Sequence, residues 1–159
     1  MTKKRLEERI GLLLCKKRLT LSLAESCTGG LISSRITDIS GSSEYYLGGI
    51  VSYSNEVKSG VLGVPGSMIK KYGAVSAEVA KAMAIGVRKK LGSDVAAAIT
   101  GIAGPGGGTL KKPVGLCYFS VITPKGQWVD KVHVSGSRRL VKSGFAEAVL
   151  TTLEKKIKL

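Results

Sequence analysis

The chain predicts an α/β fold in which a mixed β-sheet lies between helical layers. Three features carry that reading: helical and strand-like periodicities alternate along the sequence, residues 94–100 form a near-continuous apolar run, and one hairpin signal sits near the C-terminal end. A run that is apolar throughout is the pattern of a strand covered on both faces. The hairpin adds an antiparallel pair to the strands that helical crossovers build. No internal repeat or linker-like stretch divides the 159 residues, so one domain is expected over residues 1–159.

The elements follow in order. Leu6, Ile10, Leu13 and Leu14 fall at i, i+4, i+7 and i+8, the stripe of an amphipathic helix. Residues 20–24 read as a short strand, followed by the polar, glycine-rich turn Glu25-Ser26-Cys27-Thr28-Gly29-Gly30 and a helix over 31–37. Residues 38–48 read as a loop, 50–53 as a second strand and 55–62 as a short helix, with Pro65 opening a further helical turn that ends near Gly73. Ser76 is an N-cap with Glu78 in the first turn to complement the dipole, and that helix stops before Gly92. Residues 94–100 form the third strand, and 101–109 a second glycine-rich loop. Strands over 114–123 and 127–134 are joined by Pro124-Lys125-Gly126, and Val141, Phe145, Val149 and Leu153 mark the last helix. The predicted order is α-β-α-β-α-α-β-β-β-α.

Composition narrows the function. Hydrophobic residues make up 43% of the chain and aromatics 5%, enough for an aliphatic core at this length without a metal or disulfide staple. The 21 glycines cluster without a three-residue period, which excludes collagen. No apolar run approaches the roughly 18 residues of a membrane helix. The short run 12–15 behind Lys3, Lys4 and Arg5 is no signal peptide, so a cytoplasmic protein with no membrane partner is expected. Cys15, Cys27 and Cys117 form no C-x-x-C pair and His133 stands alone, so neither a zinc site nor a disulfide framework is expected. Lys and Arg number 25 against 11 Asp and Glu, a formal charge of +14 crowded on the first helix and at the C-terminal end. Such a field favours anions. A solvated helical face accounts for it at least as well as nucleic acid, since no base-reading motif and few aromatics accompany it.

In open α/β sheets ligands bind beyond the carboxyl ends of the strands, and both glycine-rich turns fall there. The first opens a helix, so the N–H groups of Thr28, Gly29 and Gly30 are expected to point outward toward a phosphate or a developing oxyanion. Ordinary turn geometry would use the same glycines. Gly101 to Gly106 gives G-x-x-x-x-G, but Gly107-Gly108 follows where a phosphate-binding loop has Lys and Ser/Thr; Ser67-Met-Ile-Lys70 lacks its companion motifs. His133 alternates with Lys131 on a strand face, far from both glycine loops, and is read as having no catalytic duty. A hydroxyl or thiol activated by lysine remains. Ser26 sits on the sharp strand-to-helix turn, and Lys58 follows the second strand as the base, a task that needs a depressed pKa. Tyr53, at that strand's end, would relay a proton or fix the geometry. Cys27 is the alternative nucleophile at the same helix N-terminus, although as the neighbour of Ser26 it points toward the core.

Five segments then stand together in order over nearly the whole chain: Ala24-Glu-Ser-Cys-Thr-Gly-Gly30; Val51-Ser-Tyr-Ser-Asn-Glu-Val-Lys58; Gly73-Ala-Val-Ser76; Thr100-Gly-Ile-Ala-Gly-Pro105 with Gly107-Gly108; and Lys112-Pro-Val-Gly115. They resemble the CinA C-terminal domain family. The resemblance implies a three-layer α/β/α sandwich with a mixed sheet. It also implies hydrolysis of the carboxamide of nicotinamide mononucleotide to nicotinate mononucleotide and ammonia, a step of pyridine-nucleotide recycling that needs no metal or cofactor. On that likeness Ser26 is the nucleophile and Tyr53 and Lys58 complete the catalytic group. Glu25, Thr28, Gly29, Gly30, Asn55, Thr100, Gly101, Gly104, Pro105, Gly107 and Arg138 would contact the substrate. The first glycine turn would supply oxyanion amides and the second loop would line the nucleotide site. The implied partners are a pyridine mononucleotide and further copies of the chain, as dimer or trimer. Two departures stand out. Gly136-Ser137-Arg138 followed by Lys142 replaces the family's Gly-Asp-Arg with a second Arg four residues on, and Gly106 stands where an acidic residue is common. Arg grips an oxyanion with two parallel bonds and Lys does not. The alternative is a catalytically degenerate nucleotide- or nucleic-acid-binding module of the same fold, which salt-sensitive nucleic-acid affinity without amidase activity would identify.

Overall fold

The computed structural model describes residues 4–159; Lys3 of the basic N-terminal cluster lies outside the described residues. The chain runs α1 (Leu6–Lys17), β1 (Leu21–Glu25), α2 (Leu31–Thr37), a 3₁₀ turn (Ser42–Glu44), β2 (Tyr46–Val51), α3 (Asn55–Gly60), α4 (Gly66–Tyr72), α5 (Ala77–Leu91), β3 (Val95–Gly101), β4 (Leu116–Thr123), β5 (Gly126–His133) and α6 (Arg138–Lys158). The sheet order is β2-β1-β3-β4-β5. The first three strands are parallel and the last two antiparallel, so the sheet is mixed. The C-terminal ends of β1 and β3 lie side by side, pairing Glu25 with Ile99.

Strand alternation splits the core into two layers. Leu21, Leu23, Ala97, Ile99, Phe119 and Val121 face α1, α2 and α6, which contribute Ile10, Leu14, Ile32, Phe145 and Leu150. Ala24, Ala96 and Ala98 face α5 and its Val79, Met83, Ala84 and Val87. Full burial of each large side chain is worth about 1.5–3 kcal/mol, so these layers hold the helices against the sheet. The small alanine face lets α5 approach closely, and a Cβ added at its Gly86 would strike the Leu62 carbonyl.

Two sequence expectations are corrected. The second strand spans Tyr46–Val51 and not 50–53, so Tyr53 lies beyond its end. Gly49, between the expected loop and the expected strand, is there for close approach: its Cβ would come within 2.6 Å of Tyr46 Oη and 2.7 Å of Ser33 Oγ. Three helices, not two, separate β2 from β3, because Gly66–Tyr72 forms a helix of its own.

Cations gather at helix C-terminal ends: Lys16 and Lys17 on α1, Arg88, Lys89 and Lys90 on α5, and Lys155, Lys156 and Lys158 on α6. There they complement the negative end of each dipole. Because α1 and α5 lead into the starts of β1 and β3, this basic end lies opposite the ends that carry the glycine turns. Arg9, expected on a solvated face, instead bonds both oxygens of Glu154.

Candidate active site

The carboxyl ends of β1 and β3 open into a cleft of ≈ 270 Å³. Its floor is Ser26, Cys27 and Lys58. The walls come from Tyr53 and Asn55, from Ala74 and Val75 between α4 and α5, from the loop after β3, and from Arg138. Ser26 follows β1 and is held by the neighbouring β3: its N–H donates to Ile99 O at 3.1 Å. Lys58 is on α3, whose N-cap Ser54 accepts from Val57 N at 3.2 Å. The short helix turns Lys58 inward until only 2% of it is exposed.

Lys58 Nζ stands 3.0 Å from Ser26 Oγ, 2.9 Å from Ser52 O and 3.2 Å from Tyr53 O. Burial is the main cause that lowers its pKa below the ordinary 10.5, with Cys27 and Glu56 opposing. A neutral amine has two N–H donors and one lone pair. Charged, Lys58 donates to all three oxygens; once neutral, it gives its two N–H groups to the carbonyls and turns its lone pair to the Ser26 hydroxyl. Among the described residues no carboxylate bonds the amine, and Glu56 acts on it only from a distance. Cys27 is different: burial pushes its thiol up to about 12, outweighing the helix N-terminus behind it.

The remaining expected residues divide. Asn55, Thr100, Gly101, Gly104, Gly107 and Arg138 line the cleft. The Thr100 hydroxyl donates to Ala74 O at 2.9 Å, tying the end of β3 to the opposite wall. Tyr53 gives Lys58 its backbone carbonyl, while its hydroxyl accepts from Arg138 Nη2 at 3.1 Å. Of the two roles expected for Tyr53, relaying a proton or fixing the geometry, the contacts seen are its carbonyl on Lys58 and its ring, 63% exposed, at the rim of the cleft. Arg138 Nη1 donates to Gly104 O at 2.6 Å.

Glu25, Thr28, Gly29, Gly30 and Pro105 do not line the cleft. Glu25 is 1% exposed and turns back under α2, where it takes the Thr28 hydroxyl and the Gly30 N–H. Gly29 N–H is used by Ser26 O. The three amides expected to face outward are therefore reduced to one, that of Thr28. Among the described residues the N–H groups of Cys27 and Thr28 bond no other residue's backbone, and that of Cys27 lies against its own sulfur. Pro105 is exposed between the lining residues Gly104 and Gly106. His133 is nearer the second loop than expected, since its Nε2 is 2.9 Å from Val114 O and Val114 packs on Gly108; it still lies outside the cleft.

Sequence reasoning did not assign Ala74, Val75, Ile102 and Ala103 to the site. The motif Gly73-Ala-Val-Ser76 was the available signal for the first two. Among the described residues no group of three or more His, Cys, Asp or Glu side chains is placed to hold a metal. None of the described helices is long and apolar enough to cross a membrane.

Comparison with known proteins gives the lineage. The profile of the CinA C-terminal domain matches residues 3–157. A CinA-like protein of Desulfotalea psychrophila is 51% identical over 146 residues, 92% of this chain and 35% of that one. A CinA-like protein of Geobacter sulfurreducens is 49% identical over 142 residues, 89% of this chain and 34% of that one. The chain thus spans about a third of the length of these curated relatives. Among solved structures, a competence/damage inducible protein of Agrobacterium tumefaciens is 33% identical, with a TM-score of 0.90 over 100% of both chains. A CinA superfamily protein of Klebsiella pneumoniae is 27% identical, with a TM-score of 0.92 over 98% of this chain and 99% of that one. The α/β sheet, the cleft at its parallel ends and these matches agree: the chain belongs to the CinA C-terminal domain family.

Proposed function

We propose that the cleft hydrolyses a carboxamide, with nicotinamide mononucleotide as substrate and nicotinate mononucleotide and ammonia as products. The observation that carries this reading is the 3.0 Å approach of Lys58 Nζ to Ser26 Oγ, with two backbone carbonyls occupying the amine's own protons. A buried, uncharged lysine is a competent general base for a serine.

Lys58 takes the Ser26 proton as Oγ attacks the carboxamide carbon. The negative charge that grows on the carboxamide oxygen meets the N–H of Cys27, on the residue after the nucleophile, as preorganised donors meet oxyanions elsewhere. The new ammonium on Lys58 returns its proton to the leaving nitrogen, and ammonia departs to leave an ester on Ser26. Water then attacks that ester, giving its proton to Lys58, which passes it to Ser26 Oγ as the acid leaves. Arg138 at the rim, where Tyr53 and Asn55 are also exposed, supplies the charge that favours an anionic substrate such as a nucleoside monophosphate.

Ammonia release across a panel of pyridine nucleotides tests the proposal. Nicotinamide mononucleotide should be the preferred amide, and Ser26→Ala should abolish release while the protein still melts cooperatively. Comparable turnover by Ser26→Ala would end the mechanism.

A further inference from the structure

We infer that Glu25 is a positioning residue for the nucleophile, acting through the turn it caps and not through the substrate; this rests on the amidase reading above. Its carboxylate is 1% exposed and meets only donors. Oε2 accepts from Thr28 Oγ1 at 2.6 Å, Ile32 N at 3.0 Å and Gly30 N at 3.2 Å. Oε1 accepts from Ser33 Oγ at 2.7 Å and Ser33 N at 2.8 Å. Ser33 Oγ in turn accepts from Tyr46 Oη at 2.7 Å, so the network reaches from β1 through α2 to β2.

A helix presents unpaired N–H groups in its first turn, and those of α2 would compete for any anion that approached. Glu25 occupies Gly30, Ile32 and Ser33, and Gly29 is taken by Ser26 O. The N–H groups left over belong to Cys27 and Thr28, beside the Ser26 hydroxyl. Glu25 thus does two things at once. It silences the donors that face away from the chemistry, and through Thr28 it pins the middle of the turn that carries Ser26 and Cys27. Charge-assisted bonds to a carboxylate are shorter and stiffer than neutral ones, which suits a fixed donor geometry. The Glu25 bonds run to the turn and to α2, and none of them to Lys58, so the inferred effect is geometric.

The test is labelling of Ser26 by a fluorophosphonate, which needs no knowledge of the natural substrate. Ser26 Oγ forms the P–O bond, fluoride leaves, and the serine proton passes to Lys58; intact mass reports the rate. Glu25→Gln keeps the shape but turns an NH₂ toward donors. It should label at least tenfold more slowly than the unaltered protein, with an unchanged pH midpoint. Thr20→Val, which breaks the Thr20–Asp94 contact at the far end of β1, should lower the melting temperature and label at the normal rate. Ser33→Ala removes one of the five bonds and should slow labelling severalfold, and it decides the matter if Glu25→Gln does not fold. Normal labelling by Glu25→Gln, or by Ser33→Ala in its place, overturns the inference. A shifted midpoint overturns it in favour of an electrostatic role. An unaltered protein that never labels at Ser26 instead refutes the amidase reading, and the inference falls with it.

Discussion

Lys58→Met separates chemistry from stability. Methionine nearly fills the same space, but it removes the base and the bonds to Ser26 Oγ, Ser52 O and Tyr53 O. At about 0.5–1.5 kcal/mol net per hydrogen bond, the loss is roughly 2–4 kcal/mol, opposed by no longer having to bury an amine. For a chain this size each kcal/mol shifts the melting point by about 2–4 °C, so the fold survives with a fall of roughly 4–16 °C before that relief. A positioned base contributes about 10²–10⁴-fold, or roughly 2.7–5.4 kcal/mol of barrier. Ammonia release should therefore collapse while the thermal transition persists. The unaltered enzyme should also lose activity as pH falls through the depressed Lys58 value, because protonation destroys the base. Steady-state ammonia assays over roughly pH 6 to 10, paired with thermal melts, read both effects. A Lys58→Met protein that keeps a tenth of normal turnover, or an unaltered enzyme with a flat profile, would refute the reasoning.

Other perturbations give distinct readouts. Cys27→Ala should keep most amidase activity, since a thiol held near 12 is not the nucleophile; loss of Ser26 labelling in that variant would reverse the assignment. Arg138→Ala should raise KM for a phosphorylated substrate about tenfold or more with a smaller change in kcat, and equal KM values for nucleotide and nucleoside in the unaltered enzyme would contradict that role. Glu154 is held down to about 2, first by the Arg9 bond and then by Lys158. Its contribution is present above the unfolded value and lost as pH falls from about 4.5 toward 2, so Glu154→Gln should flatten the acid limb of stability in circular-dichroism melts. Gly86→Ala should destabilise by about 1–3 kcal/mol, because its Cβ meets the backbone of Leu62; a neutral melt would mean that α5 can shift freely.

The architecture was legible because its signals are local. The apolar run at β3, the Ser76 cap and the stripes of α1 and α6 each state an element on their own. The strand-turn-helix geometry around Ser26 likewise leads to Lys58, since the next strand must pass beside it. What the sequence hid were relations between distant residues. Gly49 falls between the expected loop and the expected strand until Tyr46 and Ser33 are seen to need its space. Glu25 is expected at the substrate on the family likeness, and only its five bonds from donors reveal an internal cap. The strand boundary at Val51 moved Tyr53 outward and gave its side chain to Arg138.

The clasp made by Arg138 ties the start of the last helix to the neighbourhood of the base. Tyr53 offers its backbone carbonyl to Lys58 and its ring hydroxyl to Arg138, so one residue serves both the amine and the beginning of α6. Arg138 also bonds Gly104 in the loop after β3, so three distant segments meet at this corner. A change that displaces the first turn of α6 therefore has a route to the amine through a single intervening residue.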